Sequence, residues 1–166
     1  PAVVMRTATH LLRLVVFCCL LLSACRLEKT YNPLPPSAIN FQALSLEGAL
    51  QAALWEHKLV FVQTYNTRCY ACRVQHYTTF VDTALGRHFN AHYVSIKIDV
   101  ETPQGRSIAK RYDIQFQPTL LFLNDEGYIL QRIVDDRKPQ ELIETSKILL
   151  RRFGDAHKNN PKPTQQ

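Results

Sequence analysis

Cys69-Tyr70-Ala71-Cys72 sets two thiols one helical turn apart, after the apolar run Leu59-Val60-Phe61-Val62 and the polar turn from Tyr65 to Arg68. A cysteine in the first turn of a helix sits beside unpaired backbone N–H groups and the positive end of the helix dipole, and both favour thiolate over thiol. Cys69 therefore reads as the nucleophile. Cys72, one turn further in, lies within reach of a mixed disulfide formed at Cys69 and reads as the resolving thiol. Half a zinc site and a purely structural disulfide use the same spacing. His76, one turn after Cys72, is either a surface residue or a third ligand, and Cys69, Cys72 and His76 together would suit a soft ion such as Cu(I). No second C-x-x-C is present, and the other cysteines, Cys18, Cys19 and Cys25, stand far upstream.

The 166 residues amount to one domain plus tails, and 46% apolar with 20% charged residues is ordinary for a folded chain. The net charge of +6 includes Arg6 and Arg13, so without those two it is about +4. The charges are scattered, with neither a basic stripe nor interleaved aromatics, which argues against a nucleic-acid partner.

Met5, Arg6, His10 and Arg13 precede an apolar stretch from Leu14 to Leu22, then Ser23-Ala24-Cys25. That order is a secretory signal, and its apolar core is too short for a permanent span. Leu22-Ser23-Ala24-Cys25 resembles the lipobox of bacterial lipoproteins, which implies cleavage before Cys25 and a lipid anchor on it. Arg26 stands where inner-membrane retention signals usually have Asp, which leans toward the outer membrane. The expected layout is a removed signal over 1–24, a lipidated cysteine and proline-rich tether over 25–40, a folded domain over 41–153 and a disordered tail over 154–166. Cys69 and Cys72 are then the free thiols left, in an exported compartment where disulfides persist.

The elements that must position the pair follow from periodicity and caps. Ser45 caps a helix to His57, Lys58 to Thr64 is a central strand, and the redox helix runs from Cys69 to about Tyr77. Thr78-Thr79 interrupt it and Asp82 caps a second piece through His88. Tyr93 to Asp99 alternates as a strand, and Pro103 opens a helix to about Tyr112. Thr119 to Leu123 and Tyr128 to Val134 form a hairpin about Asn124-Asp125-Glu126-Gly127. Pro139 to Phe153 closes the fold, with Leu142, Ile143, Ile148, Leu149 and Leu150 as candidate core and Gly154 as its stop. The result is an α/β domain with a mixed central sheet, helices on both faces, and the thiols at the carboxyl end of a central strand.

Strand Leu59 to Thr64, the C-Y-A-C motif, strand Val94 to Asp99 and Gln117-Pro118-Thr119 leading into Leu120-Leu121-Phe122 resemble the thioredoxin superfamily over roughly residues 41 to 153. The pattern is most similar to membrane-anchored thioredoxin-like lipoproteins and to the periplasmic C-terminal domain of transmembrane thiol:disulfide interchange proteins. The resemblance implies a thioredoxin-like fold, a cis bond before Pro118 beside the cysteines, and a substrate groove formed by Gln117, Pro118, Thr119 and Tyr70. Two departures bear on tuning. Gln63 replaces the buried Asp that many thioredoxins carry six residues before the first cysteine, and Arg68 replaces the preceding Trp. A neutral amide and an added cation favour the Cys69 thiolate and a more oxidising disulfide.

The expected function is thiol:disulfide exchange in the bacterial cell envelope on exported proteins, with no cofactor beyond the Cys69/Cys72 disulfide, no resident metal, and a transmembrane electron donor. A soft-metal carrier and a non-catalytic interaction module are the alternatives. Trp55 is read as packing and Tyr70 as groove contact, whereas Tyr65 and Tyr77 are placed on neither side. His57, His88, His92 and His157 are read as surface residues.

Overall fold

Leu59–Tyr65 (β2) sits at the centre of a five-stranded sheet because it has no face fit for water: six of its seven residues are buried. The computed structural model describes residues 34–158, with side chains through Gly154. The other strands are β1 (Phe41–Gln42), β3 (Tyr93–Asp99), β4 (Thr119–Leu123) and β5 (Ile129–Val134), in the order β1-β3-β2-β4-β5. β1 and β2 run parallel to β3, while β4 runs antiparallel to both β2 and β5. The two-residue edge strand β1 was not expected. It is too short to carry a periodic signal.

Among the described residues, five helices pack on this sheet: α1 (Leu46–Glu56), α2 (Tyr70–Thr78), α3 (Thr83–His92), α4 (Pro103–Arg111) and α5 (Pro139–Lys158). Each of the first four begins on a side chain that takes an orphan N–H: Ser45 from Gly48, Cys69 from Cys72, Asp82 from Leu85 and Thr102 from Gly105. Thr79 closes α2 and turns its hydroxyl onto the Arg137 carbonyl at 2.6 Å, so the break before α3 is anchored.

Strand alternation sorts the core into two clusters. Val60, Val62, Val94, Ile96, Leu121 and Leu123 face α1 and α4, meeting Leu46, Ala49, Ala53 and Ile108. Leu59, Phe61, Tyr93, Leu120 and Phe122 face the other side, meeting Phe80, Leu85, Phe89, Leu142 and Leu149. Phe61 lies within 6.4 Å, centroid to centroid, of the Phe41, Phe80, Phe89 and Phe122 rings.

Three expectations need correction. The tether over 25–40 is not free along its described part: Ile39 is 1% exposed, and the Ala38 N–H donates to the Phe80 carbonyl at 2.6 Å. The tail over 154–166 does not begin at Gly154, because α5 runs through that glycine to Lys158. Gly154 keeps a negative φ, and a glycine in helix interior costs only about 1 kcal/mol against alanine. Ile148 is 53% exposed, since it lies off the stripe that buries Leu142, Ser146 and Leu149. Residues 1–33 and 159–166, on which the expected signal, the expected anchor Cys25 and most of the expected tail fall, lie outside the described residues. No described helix is long and apolar enough to cross a membrane.

Candidate active site

β2 delivers the chain to its carboxyl end at Tyr65, and Asn66-Thr67-Arg68 form a turn that Asn66 closes on itself through its side chain and the Arg68 N–H at 3.0 Å. Cys69 follows as the capping residue of α2. Its Sγ accepts the Cys72 N–H at 3.0 Å, which puts sulfur in the place usually held by a capping oxygen, at the positive end of the helix. Cys69 and Cys72 are joined as a disulfide with Cα atoms 5.3 Å apart, so this is the oxidised form.

The two sulfurs differ in access. Cys69 is partly exposed, whereas Cys72 is 8% exposed and its Sγ lies 4.0 Å from the Thr64 carbonyl. An incoming sulfur therefore meets Cys69 first.

The Gln117–Pro118 bond is cis, and Pro118 is buried at the start of β4. Thr64 and Thr119 stand opposite one another in the β2/β4 ladder, and the Thr64 hydroxyl both donates to the Thr119 carbonyl and accepts its N–H, each at 3.2 Å. The Asn66 amide donates to Gln117 Oε1 at 3.2 Å. These bonds tie the proline loop to the turn that carries the cysteines, so Gln117, Pro118 and Thr119 come together with the pair. Tyr70 is 72% exposed, with the Arg73 guanidinium 5.7 Å from its ring centre. Phe116, which the sequence reading passed over, is 67% exposed immediately before Gln117. Trp55 is half-buried, as packing requires.

Arg68 is turned to solvent and has a carboxylate partner of its own. Its side chain is 90% exposed and pairs with Glu101 at 3.6 Å. The Thr67 hydroxyl and N–H also donate to Glu101, and the hydroxyl bond is the largest cause holding that carboxyl below the usual carboxylate range. The cation expected to tune Cys69 is therefore already answered by a carboxylate in water.

Gln63 is buried in β2, on the face of the sheet that α2 covers, and its Nε2 donates to Gln75 Oε1 at 3.3 Å. Gln63 Oε1 and Gln75 Nε2 have no hydrogen-bond partner. Lys97 is the registered neighbour of Gln63 on β3, with its Nζ 4.5 Å from the Phe41 ring centre and 5.7 Å from that of Phe80. Burial lowers the Lys97 pKa.

His76 corrects the reading of a surface residue. It is 7% exposed, its Nε2 lies 2.6 Å from the Pro35 carbonyl, and its Nδ1 faces Lys97 Nζ at 3.5 Å. It does not join the two cysteines as a ligand set: among the described residues no group of three or more His, Cys, Asp or Glu could hold a metal. His88 is also half-buried, 2.8 Å from the Ser146 hydroxyl, because α3 packs against α5. Sequence alone carried no signal for either contact.

A sequence family described as a thioredoxin-like domain matches residues 46–147. A solution structure of a candidate disulphide-isomerase from Bacteroides thetaiotaomicron shares 34% identity, covers 70% of this chain and 94% of its own, and superposes with a TM-score of 0.60. A thioredoxin from Thermus thermophilus shares 22% identity over 70% of this chain and 94% of its own, with a TM-score of 0.59. The oxidised DsbD C-terminal domain of Neisseria meningitidis shares 21% identity over 66% of this chain and 97% of its own, with a TM-score of 0.54. The last two likenesses are of fold. A search of curated proteins found no match.

Proposed function

The chain belongs to the thioredoxin-like family and is a thiol:disulfide oxidoreductase, and from that premise we propose that it works in the bacterial cell envelope on disulfides of exported proteins. One observation carries the assignment of roles: Cys69 is the accessible sulfur on a helix start, and Cys72 is the buried sulfur one turn behind it.

In the dithiol form the Cys69 thiolate attacks one sulfur of a substrate disulfide. An S–S bond forms between Cys69 and the substrate, and the other substrate sulfur leaves as a thiolate that takes a proton from water. Cys72 then gives up its proton and attacks the Cys69 sulfur. The Cys69–Cys72 bond closes, the second substrate thiol leaves, and two electrons have passed to the substrate. A dithiol donor restores the pair, and a transmembrane protein is proposed for that role. Substrate backbone lies along Gln117, Pro118 and Thr119, with Tyr70 at the rim. The envelope location rests on the signal-like segment over 1–24 and on Cys25 as lipid anchor.

The experiment is a trap. The full chain carrying Cys72→Ala is expressed in a bacterial envelope, and partners held on Cys69 are released with dithiothreitol. A reproducible set of exported proteins supports the proposal. No trapped partner, together with unchanged function of the Cys72→Ala chain, overturns it in favour of a non-catalytic module.

A further inference from the structure

The disulfide forms part of the lining of a mainly apolar cavity of about 200 Å³, and Leu34, from outside the sheet, lines it as well. Leu34 belongs to a strap, residues 34–40, that lies across the domain. The strap is held at Ala38 by the Phe80 carbonyl, at Asn40 by Asn90 Oδ1 at 2.8 Å, and at Pro35 by His76. Only the last of these bonds reaches the helix that carries the cysteines.

The protons at His76 follow from its partners. The Pro35 carbonyl can only accept, so Nε2 carries the hydrogen. The Lys97 ammonium can only donate, so Nδ1 keeps its lone pair. The imidazole is thus held in one tautomer between β3 and the strap, and His76 lines the cavity with Cys69 and Cys72.

We infer that His76 is a positioning residue: by holding Pro35 it makes Leu34 a wall of an apolar subsite, which selects disulfides whose cysteine is flanked by a leucine-sized apolar side chain. This inference rests on the oxidoreductase reading above. The size suits it, since about 200 Å³ exceeds the roughly 150 Å³ that accepts a benzene-sized group. The site is continuous with the reacting sulfur, so a residue beside the substrate cysteine reaches it while Cys69 attacks.

The test uses two synthetic peptide disulfides that differ only in leucine or serine next to the cystine, reduced in a single turnover by the prereduced full chain. The leucine peptide is expected to react about tenfold faster, the size of discrimination that one apolar pocket supplies. Leu34→Ala and His76→Leu should each bring that ratio close to one. The double variant should lose no more than either alone, because both remove the same wall. His76→Gln keeps a donor for the Pro35 carbonyl and should restore the preference. Equal rates for the two peptides in the unsubstituted chain, additive losses, or a His76→Gln chain no better than His76→Leu would overturn the inference. If His76→Leu does not fold, Leu34→Ala at an exposed residue decides the question. Reduction of neither peptide would instead count against the oxidoreductase reading itself.

Discussion

Gln63 and Gln75 meet beneath the active-site helix with exposures of 2% and 0%, joined by one 3.3 Å hydrogen bond and each left with one unpaired polar atom. Replacing Gln63 with leucine, which is similar in volume, removes that bond and strands the whole Gln75 amide. A stranded buried group costs about 1–3 kcal/mol, and the leucine's own burial offsets part of it, so a net loss of about 1–2 kcal/mol is expected. Gln75→Leu should cost a similar amount by stranding Gln63. The double substitution removes both amides, including the two atoms that had no partner to begin with, and should leave the chain at least as stable as it was. The coupling between the sites is then about 2–4 kcal/mol and favourable. Urea unfolding of the oxidised protein, with unchanged slopes, measures each corner of the cycle. Additive losses, or a double variant weaker than either single one, would refute the idea that this amide pair is held at a cost.

Gly154→Ala should stabilise the protein by about 0.5–1 kcal/mol in thermal unfolding, because Gly154 lies within a helix and an added Cβ would come no closer than 3.9 Å to Leu150. A loss of stability would mean that α5 ends there in a left-handed turn. Burial is the first cause that holds the His88 pKa below its usual value of about 6.5, with His92 and Lys147 adding to it and Glu144 opposing. The folded state thus favours neutral His88; its contribution is complete above about pH 6.5 and is lost as pH falls through the folded value. His88→Gln should therefore flatten the drop in melting temperature on acidification through that window, and an unchanged drop would contradict it. The dithiol/disulfide potential should be less reducing than about −270 mV, since a neutral amide stands at Gln63. Arg68→Ala should leave it within the error of equilibration against glutathione, because Arg68 is solvated and paired with Glu101. A potential at or below that value, or a clear shift with Arg68→Ala, would break this account of the tuning.

The cysteine pair and most of its scaffold were legible because the signals are local. A cap acts within one turn, so Ser45, Asp82 and the break at Thr78-Thr79 fall where the residues place them. Alternation acts over two residues, so Tyr93–Asp99 sorts its side chains onto the two cores as its pattern indicates. The hairpin turn ends at Gly127, whose φ of 85° suits a residue without a side chain.

What the tertiary structure alone decided are the contacts between residues far apart in the chain. His76 reads as a surface histidine until Pro35, 41 residues upstream, covers it. Residues 34–40 read as a loose tether until Ile39 is buried in the same core cluster as Phe80. Arg68 reads as a cation beside a thiol until Glu101, across the turn, draws it into solvent. Composition, caps and periodicity specify elements and the faces they present, and here they also specify the chemistry, because both thiols lie within a single helical turn. Which side chains then meet across those faces depends on how strap, sheet and helices pack, and a pattern read along one strand or helix carries no term for that.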